Sequence, residues 1–185
     1  MDYSVYSGGG YHDSWARWVM DNMQGNMPNC SLPAPPPMRQ DLYNARTNLE
    51  SALMIMKQAM EGEENVRNFY EYMLDAVPSE DDREIIAGIQ HDDLRHFSLL
   101  RQAYYDISGE KPAPAQPARA VLPVTYTDGL IAALMGEQQA AVTYRKVLFA
   151  MRNRRHINML TEIITDELRH LGLYNYLLTK NSRSL

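Results

Sequence analysis

Two short stretches of the chain place a carboxylate and an imidazole three residues apart: Asp93 with His96, and Glu167 with His170. On a helix, residues three apart share a face, so each stretch can offer one oxygen and one nitrogen donor to the same point. A further acid stands 30 residues upstream of each, Glu63 before Asp93 and Glu137 before Glu167. Their neighbours are apolar at helical spacing. Ile89, Asp93, His96 and Leu100 step by four, three and four, and Ile163, Glu167, His170 with Leu173 or Tyr174 repeat the arrangement. Glu63 lies beside Val66, Phe69 and Leu74, and Glu137 beside Ala140, Ala141 and Leu148. Each of the four acids is therefore directed at a core.

Four carboxylates in an apolar interior would repel one another and lose hydration, so several would have to take up protons or the fold would weaken. Two divalent cations remove that conflict: four negative charges balance two 2+ ions, and each neutral imidazole adds a nitrogen donor. The candidate ligands are Glu63, Asp93, His96, Glu137, Glu167 and His170. Oxygen and imidazole donors without thiolate suit iron best, with manganese the alternative and zinc able to occupy such a site in a purified sample. One acid-x-x-His is a common surface spacing and says little. Two copies, each with a core-facing acid 30 residues before it, are far more specific.

The duplication extends well beyond the donors. At a single offset of 74, Glu63 maps to Glu137, Tyr70 to Tyr144, Ile89 to Ile163 and His96 to His170, and Asp92-Asp93-Leu94-Arg95-His96 aligns with Asp166-Glu167-Leu168-Arg169-His170. The sequence therefore predicts two helical hairpins, each unable to cover its own apolar face, packed together about a pseudo-twofold axis. The first helix is expected from about Asp41 to Ala76, stopped by Pro78. The second follows a Ser79/Asp82 capping box and runs to about Ile107, with Ser108–Gly109 as its stop. Pro112, Pro114, Pro117 and Pro123 mark a crossover; the third helix is expected from about Asp128 to Met151, and a short Asn153–Arg154–Arg155 turn leads to the fourth, ending near Lys180. Strand signals are nearly absent. The fold expected is all-α, a four-helix bundle of two repeated antiparallel hairpins joined by a long crossover, over residues 39–185. Residues 1–38, rich in Tyr, Gly and Pro, read as a flexible arm, in which Trp15–Trp18 is at most a short docking segment.

Composition narrows the alternatives. One cysteine, Cys30, rules out a disulfide framework or a cysteine-rich cluster within the chain and points to a reducing compartment. No secretory signal or membrane span is visible, so a soluble cytoplasmic protein is expected. A formal net charge of −5 offers no footprint for nucleic acid.

With one Glu on each of two helices and an acid-x-x-His on each of the other two, residues 41 to 180 resemble the ferritin-like superfamily, and within it the rubrerythrin-type di-iron domains. The resemblance implies that Glu63 and Glu137 are terminal carboxylates, Asp93 and Glu167 bridge the metals, and His96 and His170 each serve one metal. It further implies an oxidoreductase active in oxidative stress, reducing hydrogen peroxide or reacting with dioxygen. Asp93 stands where the family usually has Glu, and Ala140 where rubrerythrins carry an additional glutamate. There is no rubredoxin-like four-cysteine module, so electrons would come from a separate donor. A homodimer is expected. Two other functions fit the same donors: a ferroxidase or iron-handling protein, and a metal-binding structural protein.

Among the remaining residues, Tyr70 and Tyr144 could hydrogen-bond the carboxylates two turns away or pass electrons, but are read first as packing around the donors, and Gly62 and Gly136 as marks of close helix approach or a π-bulge. Asp92, Asp166, Arg95 and Arg169 form either a shell that orients the histidines or solvated ion pairs. His12, His91 and His156 receive no chemistry.

Overall fold

A computed structural model describes residues 45–112 and 122–182. Among the described residues there are five helices and no strand: α1 (Ala45–Glu61), α2 (Glu63–Ala76), α3 (Glu80–Ser108), α4 (Tyr126–Ala150) and α5 (Arg154–Ser182). The expected arm, the first residues of the expected first helix and most of the proline-rich crossover lie outside the described residues. No described helix is long and apolar enough to cross a membrane.

The helix ends follow from local chemistry. Ser79 caps α3, its Oγ accepting from the Asp82 backbone N–H while donating to the Asp82 carboxylate. Thr125 caps α4 in the same way through Asp128, which starts that helix two residues before the position the sequence suggests. Gly109 closes α3 in the left-handed conformation, φ 73°, where a side chain would be strained.

The first expected helix is interrupted at Gly62. Its N–H bonds to the Ala59 carbonyl three residues back, 3.0 Å, which tightens the helix where a π-bulge would widen it. Nor do the repeated glycines mark a close helix approach. A methyl group at Gly136 would meet nothing within 4 Å, and one at Gly62 would first meet the carbonyl of Ala59 in its own turn. The tight contact is at Gly129, where an added Cβ would collide with the Met73 sulfur.

Helices α3 and α5 are each 29 residues long, and their boundaries differ by 74 at both ends. Packing follows the same offset. One apolar cluster contains Met56, Leu100, Ala103, Val147, Leu160 and Ile163; the other contains Leu130, Tyr174, Leu177, Met73, Ile86 and Ile89. Each residue of the first set lies 74 positions from its counterpart in the second. Along α3, Ile86 and Ile89 belong to one cluster and Leu100 and Ala103 to the other, with Asp93 and His96 between them. Along α5, Glu167 and His170 lie between the clusters in the same manner. The candidate donors thus sit midway between two apolar layers.

Helices α3 and α5 run antiparallel and are tied at both ends. Lys180 near the end of α5 pairs with Asp82 in the first turn of α3, and His156 in the first turn of α5 bonds Asp106 near the end of α3 at 3.1 Å. These ties are also related by the offset, Asp82 to His156 and Asp106 to Lys180, with the carboxylate and its nitrogen partner exchanged. His156, given no chemistry from the sequence, is a buried structural histidine.

Asp82 is fully buried and gathers Lys180, Asn181, Ser79 and the Tyr126 hydroxyl, so it joins the starts of α3 and α4 to the end of α5. Burial pushes its carboxyl up, but the bonds from Lys180, Asn181 and Ser79 outweigh it and hold the pKa below the ordinary 3.8. A depressed carboxylate stabilises the fold above its unfolded pKa and loses that contribution as pH falls through the folded one. Asp82→Asn is therefore expected to lower the unfolding free energy by roughly 2 kcal/mol at pH 7. It should also flatten the loss of stability below pH 4, as read from urea melts of variant and wild type at pH 7 and pH 3.

Candidate metal centre

Five of the six candidate donors come together. His96 Nδ1 lies 3.5 Å from Asp93 Oδ1 and 3.1 Å from Glu167 Oε1. His170 Nδ1 lies 3.6 Å from the same Asp93 oxygen and 3.6 Å from Glu137 Oε2. The two imidazoles stack, with centroids 5.9 Å apart and planes 29° from parallel. Donor atoms of Asp93, Glu137, Glu167 and His170 all fall within 4.8 Å of one another. Asp93 is central, one oxygen facing both histidines.

The residues fit a cation. Asp93 Oδ1, His96 Nδ1 and His170 Nδ1 are buried without a hydrogen-bond partner, although buried polar atoms seldom go unpaired. All three face the same small volume. Oxygen and imidazole donors without a thiolate are the donor set of iron, manganese or zinc.

Electrostatics tell the same story from the opposite direction. Burial, reinforced by hydrogen bonding with Glu167 and by the charges of Glu167 and Asp93, pushes the Glu137 carboxyl far above its ordinary range, so it holds a proton. Burial alone would lower the His96 pKa; the neighbouring Asp93 and Glu167 carboxylates outweigh it and raise it to about 10. In the metal-free protein, protons on Glu137 and His96 do part of the charge balancing that cations would otherwise do.

Outside the donors, each histidine is held by the opposite half of the repeat. His96 Nε2 meets Asp166 at 3.2 Å, and His170 Nε2 meets Asp92 at 3.3 Å. A carboxylate that accepts from Nε2–H turns Nδ1 toward the cluster, where a cation can displace the proton that His96 carries in the metal-free protein. Burial raises both Asp92 and Asp166, but Arg169 and the paired histidine overcome it and hold both below the usual carboxylate range. Arg169 bonds both acids, whereas its counterpart Arg95 pairs with Glu162. Of the two readings of this charged layer, the orienting one describes Asp92, Asp166 and Arg169.

On one side a hydroxyl chain reaches the cluster. The Tyr174 hydroxyl donates to Tyr70 at 3.2 Å, and Tyr70 donates to Asp93 Oδ2 at 2.7 Å. Tyr70 is therefore more than packing, and it leaves Asp93 with one free oxygen. Leu100 is the counterpart of Tyr174, so the other half has no such chain. Burial and the neighbouring carboxylates raise the Tyr70 and Tyr144 hydroxyls well above their ordinary values. Tyr144 packs against the cluster that contains Leu100.

Glu63 is placed elsewhere. Its carboxylate accepts from Arg67 at 2.8 Å and from Arg101, and it is not among the donor atoms that gather. Burial raises its carboxyl, but the two arginines more than compensate and lower it. Sequence reasoning missed this clamp because Arg101 is 38 residues away. The available signal was Arg67, one helical turn after Glu63.

No family model matches the chain. It is 26% identical to the uncharacterised Bacillus subtilis protein YhjR over 146 residues, covering 79% of this chain and 94% of that one. The structure is similar to a hypothetical protein from Pyrococcus furiosus, with TM-score 0.58 and 19% identity over 74% of this chain and 91% of the other. It is also similar to a two-domain protein from Anabaena variabilis containing DJ-1/ThiJ/PfpI-like and ferritin-like domains. There the TM-score is 0.58 and the identity 12%, covering 92% of this chain and 50% of that one. These likenesses are of fold, an all-helical one shared with a protein that contains a ferritin-like domain.

Because Glu137 is buried against other carboxylates, Glu137→Gln should stabilise the chelator-treated protein. A gain of about 1 kcal/mol corresponds to a rise in Tm of roughly 2–4 °C for a chain of this size. Thermal melts in the presence of chelator give the answer, and a fall in Tm would contradict the repulsion argument.

Proposed function

We propose that the chain is a ferritin-like four-helix bundle of two repeated antiparallel hairpins, α1 and α2 together forming the first helix, with a rubrerythrin-type di-iron centre. Its function in this reading is that of an oxidoreductase that reduces hydrogen peroxide or reacts with dioxygen. The observation that carries it is the pair of buried, unpartnered Nδ1 atoms of His96 and His170 on either side of Asp93 Oδ1. The ligands in this reading are Glu63, Asp93, His96, Glu137, Glu167 and His170, with manganese the alternative to iron.

A pair of adjacent iron ions supplies two electrons at one place, matching the two-electron cleavage of an O–O bond. The chain's own residues do the rest. Asp92 and Asp166 fix the imidazole rings, Tyr70 fixes Asp93, and the apolar layers on either side restrict water. Electrons come from a separate donor protein, and the working unit in this reading is a cytoplasmic homodimer. That both histidines turn an unpartnered Nδ1 toward the cluster is equally compatible with iron oxidation for handling or with a structural metal, so the test must discriminate by reaction.

Binding of metal to the native state should raise stability as RT ln(1 + [L]/Kd), about 2.7 kcal/mol at a hundredfold excess over Kd, and chelation should reverse it. Loaded anaerobically with ferrous iron, the protein is expected to consume hydrogen peroxide faster than the same concentration of free iron. Glu167→Ala should remove that advantage while leaving helix content intact by circular dichroism. Faster reaction with dioxygen than with peroxide would favour the oxidase or ferroxidase reading. Metal binding without reaction toward either oxidant would leave the structural one.

A further inference from the structure

We propose that Arg67 and Arg101 make the two metal positions unequal, a first divalent cation being taken by Asp93, Glu137, Glu167 and His170, and a second, weaker position forming at His96 when Glu63 leaves the two arginines. This rests on the metal reading above and adds to it an order of loading and the residues that set it.

Glu63 and Glu137 are counterparts at the offset of 74, yet they are held in opposite ways. The Glu137 side chain is 7% exposed and faces His170. Both Glu63 oxygens are engaged by guanidinium groups, Oε1 by Arg67 on the next turn of α2 and Oε2 by Arg101 on α3. The counterparts of Arg67 and Arg101 in the second half are Ala141 and Asn175. Neither carries a charge, so the clamp exists in one half only.

The donors divide accordingly. Four of them already converge with no rearrangement. The position beside His96 has the His96 nitrogen to itself and otherwise shares Asp93 and Glu167 with the first ion. To gain a carboxylate of its own it must draw Glu63 away from two charge-assisted bonds, against the repulsion of two nearby positive charges. The arginines are 52% and 41% exposed, so water can receive them once Glu63 moves. Their effect is to weaken the second position, not to abolish it.

The experiment is an anaerobic titration of the full chain with Co(II), followed by calorimetry and by visible absorption. Wild type should bind one ion tightly and a second at least tenfold more weakly. Arg101→Ala should strengthen the second step by about tenfold, the equivalent of one charge-assisted hydrogen bond, and leave the first unchanged. Glu63→Gln should lose most of the second step, and adding Arg101→Ala to it should restore nothing. Arg95→Ala, which removes the same charge next to His96 without touching Glu63, should leave the ratio of the two affinities as in wild type. Two equal affinities in wild type, or an Arg101→Ala effect that persists in the Glu63→Gln background or is matched by Arg95→Ala, would overturn the inference while sparing the metal reading. Failure of every variant and of wild type to bind Co(II) would remove the metal reading and this inference together.

Discussion

Ionisable groups in an apolar interior must have their charge answered, and the rest of this structure depends on how that is done. Glu137, Glu167, His96 and His170 are buried between two apolar clusters, with the half-buried Asp93 among them, where bulk water does little of it. Part of the answer is local, a proton on Glu137 and another on His96. Part comes from outside the cluster, where Asp92 and Asp166 support the imidazoles and are supported in turn by Arg169. What these groups leave over is a set of unpartnered oxygen and nitrogen atoms turned toward one another. A metal-binding reading follows from that surplus more than from any resemblance.

The internal repeat gives this arrangement its form. Each half contributes an acid and a histidine at the midpoint of a 29-residue helix, and each half's outer aspartate holds the other half's histidine. Neither half could orient its own imidazole in this way, so the donors are assembled only when the halves pack. Divergence between the copies then introduces direction. Tyr174 where the first half has Leu100, Asp93 where the second has Glu167, and the arginines at Glu63 all break the symmetry at the centre itself.

Much of this was legible in the sequence because it is periodic. Apolar spacing and end signals located α3, α4 and α5 to within about two residues, and the two acid-x-x-His motifs with their upstream acids located five donors that do converge. What escaped is not periodic. The tightening at Gly62 depends on one backbone bond, the hydroxyl chain joins residues 104 apart, and the Glu63 clamp joins α2 to α3 across 38 residues. Such contacts depend on helix rotation and side-chain reach, which a one-dimensional pattern does not encode. Choosing between core packing and hydrogen bonding for Tyr70 needed the position of Asp93 as well.

The exchanged ties at the ends of α3 and α5 bear on self-recognition. If two α3 helices from separate molecules paired in the antiparallel manner of α3 with α5, Asp82 would face Asp106 at both ends, carboxylate against carboxylate. Two α5 helices would bring His156 against Lys180, with no anion between them. Only the mixed pair satisfies both ends, Asp82 with Lys180 and Asp106 with His156. A duplication with identical copies would have no such preference and would pair like with like as readily. Here the electrostatics of four end residues favour each half choosing the unlike half, so a centre is built from one copy of each and not from two copies of the same one.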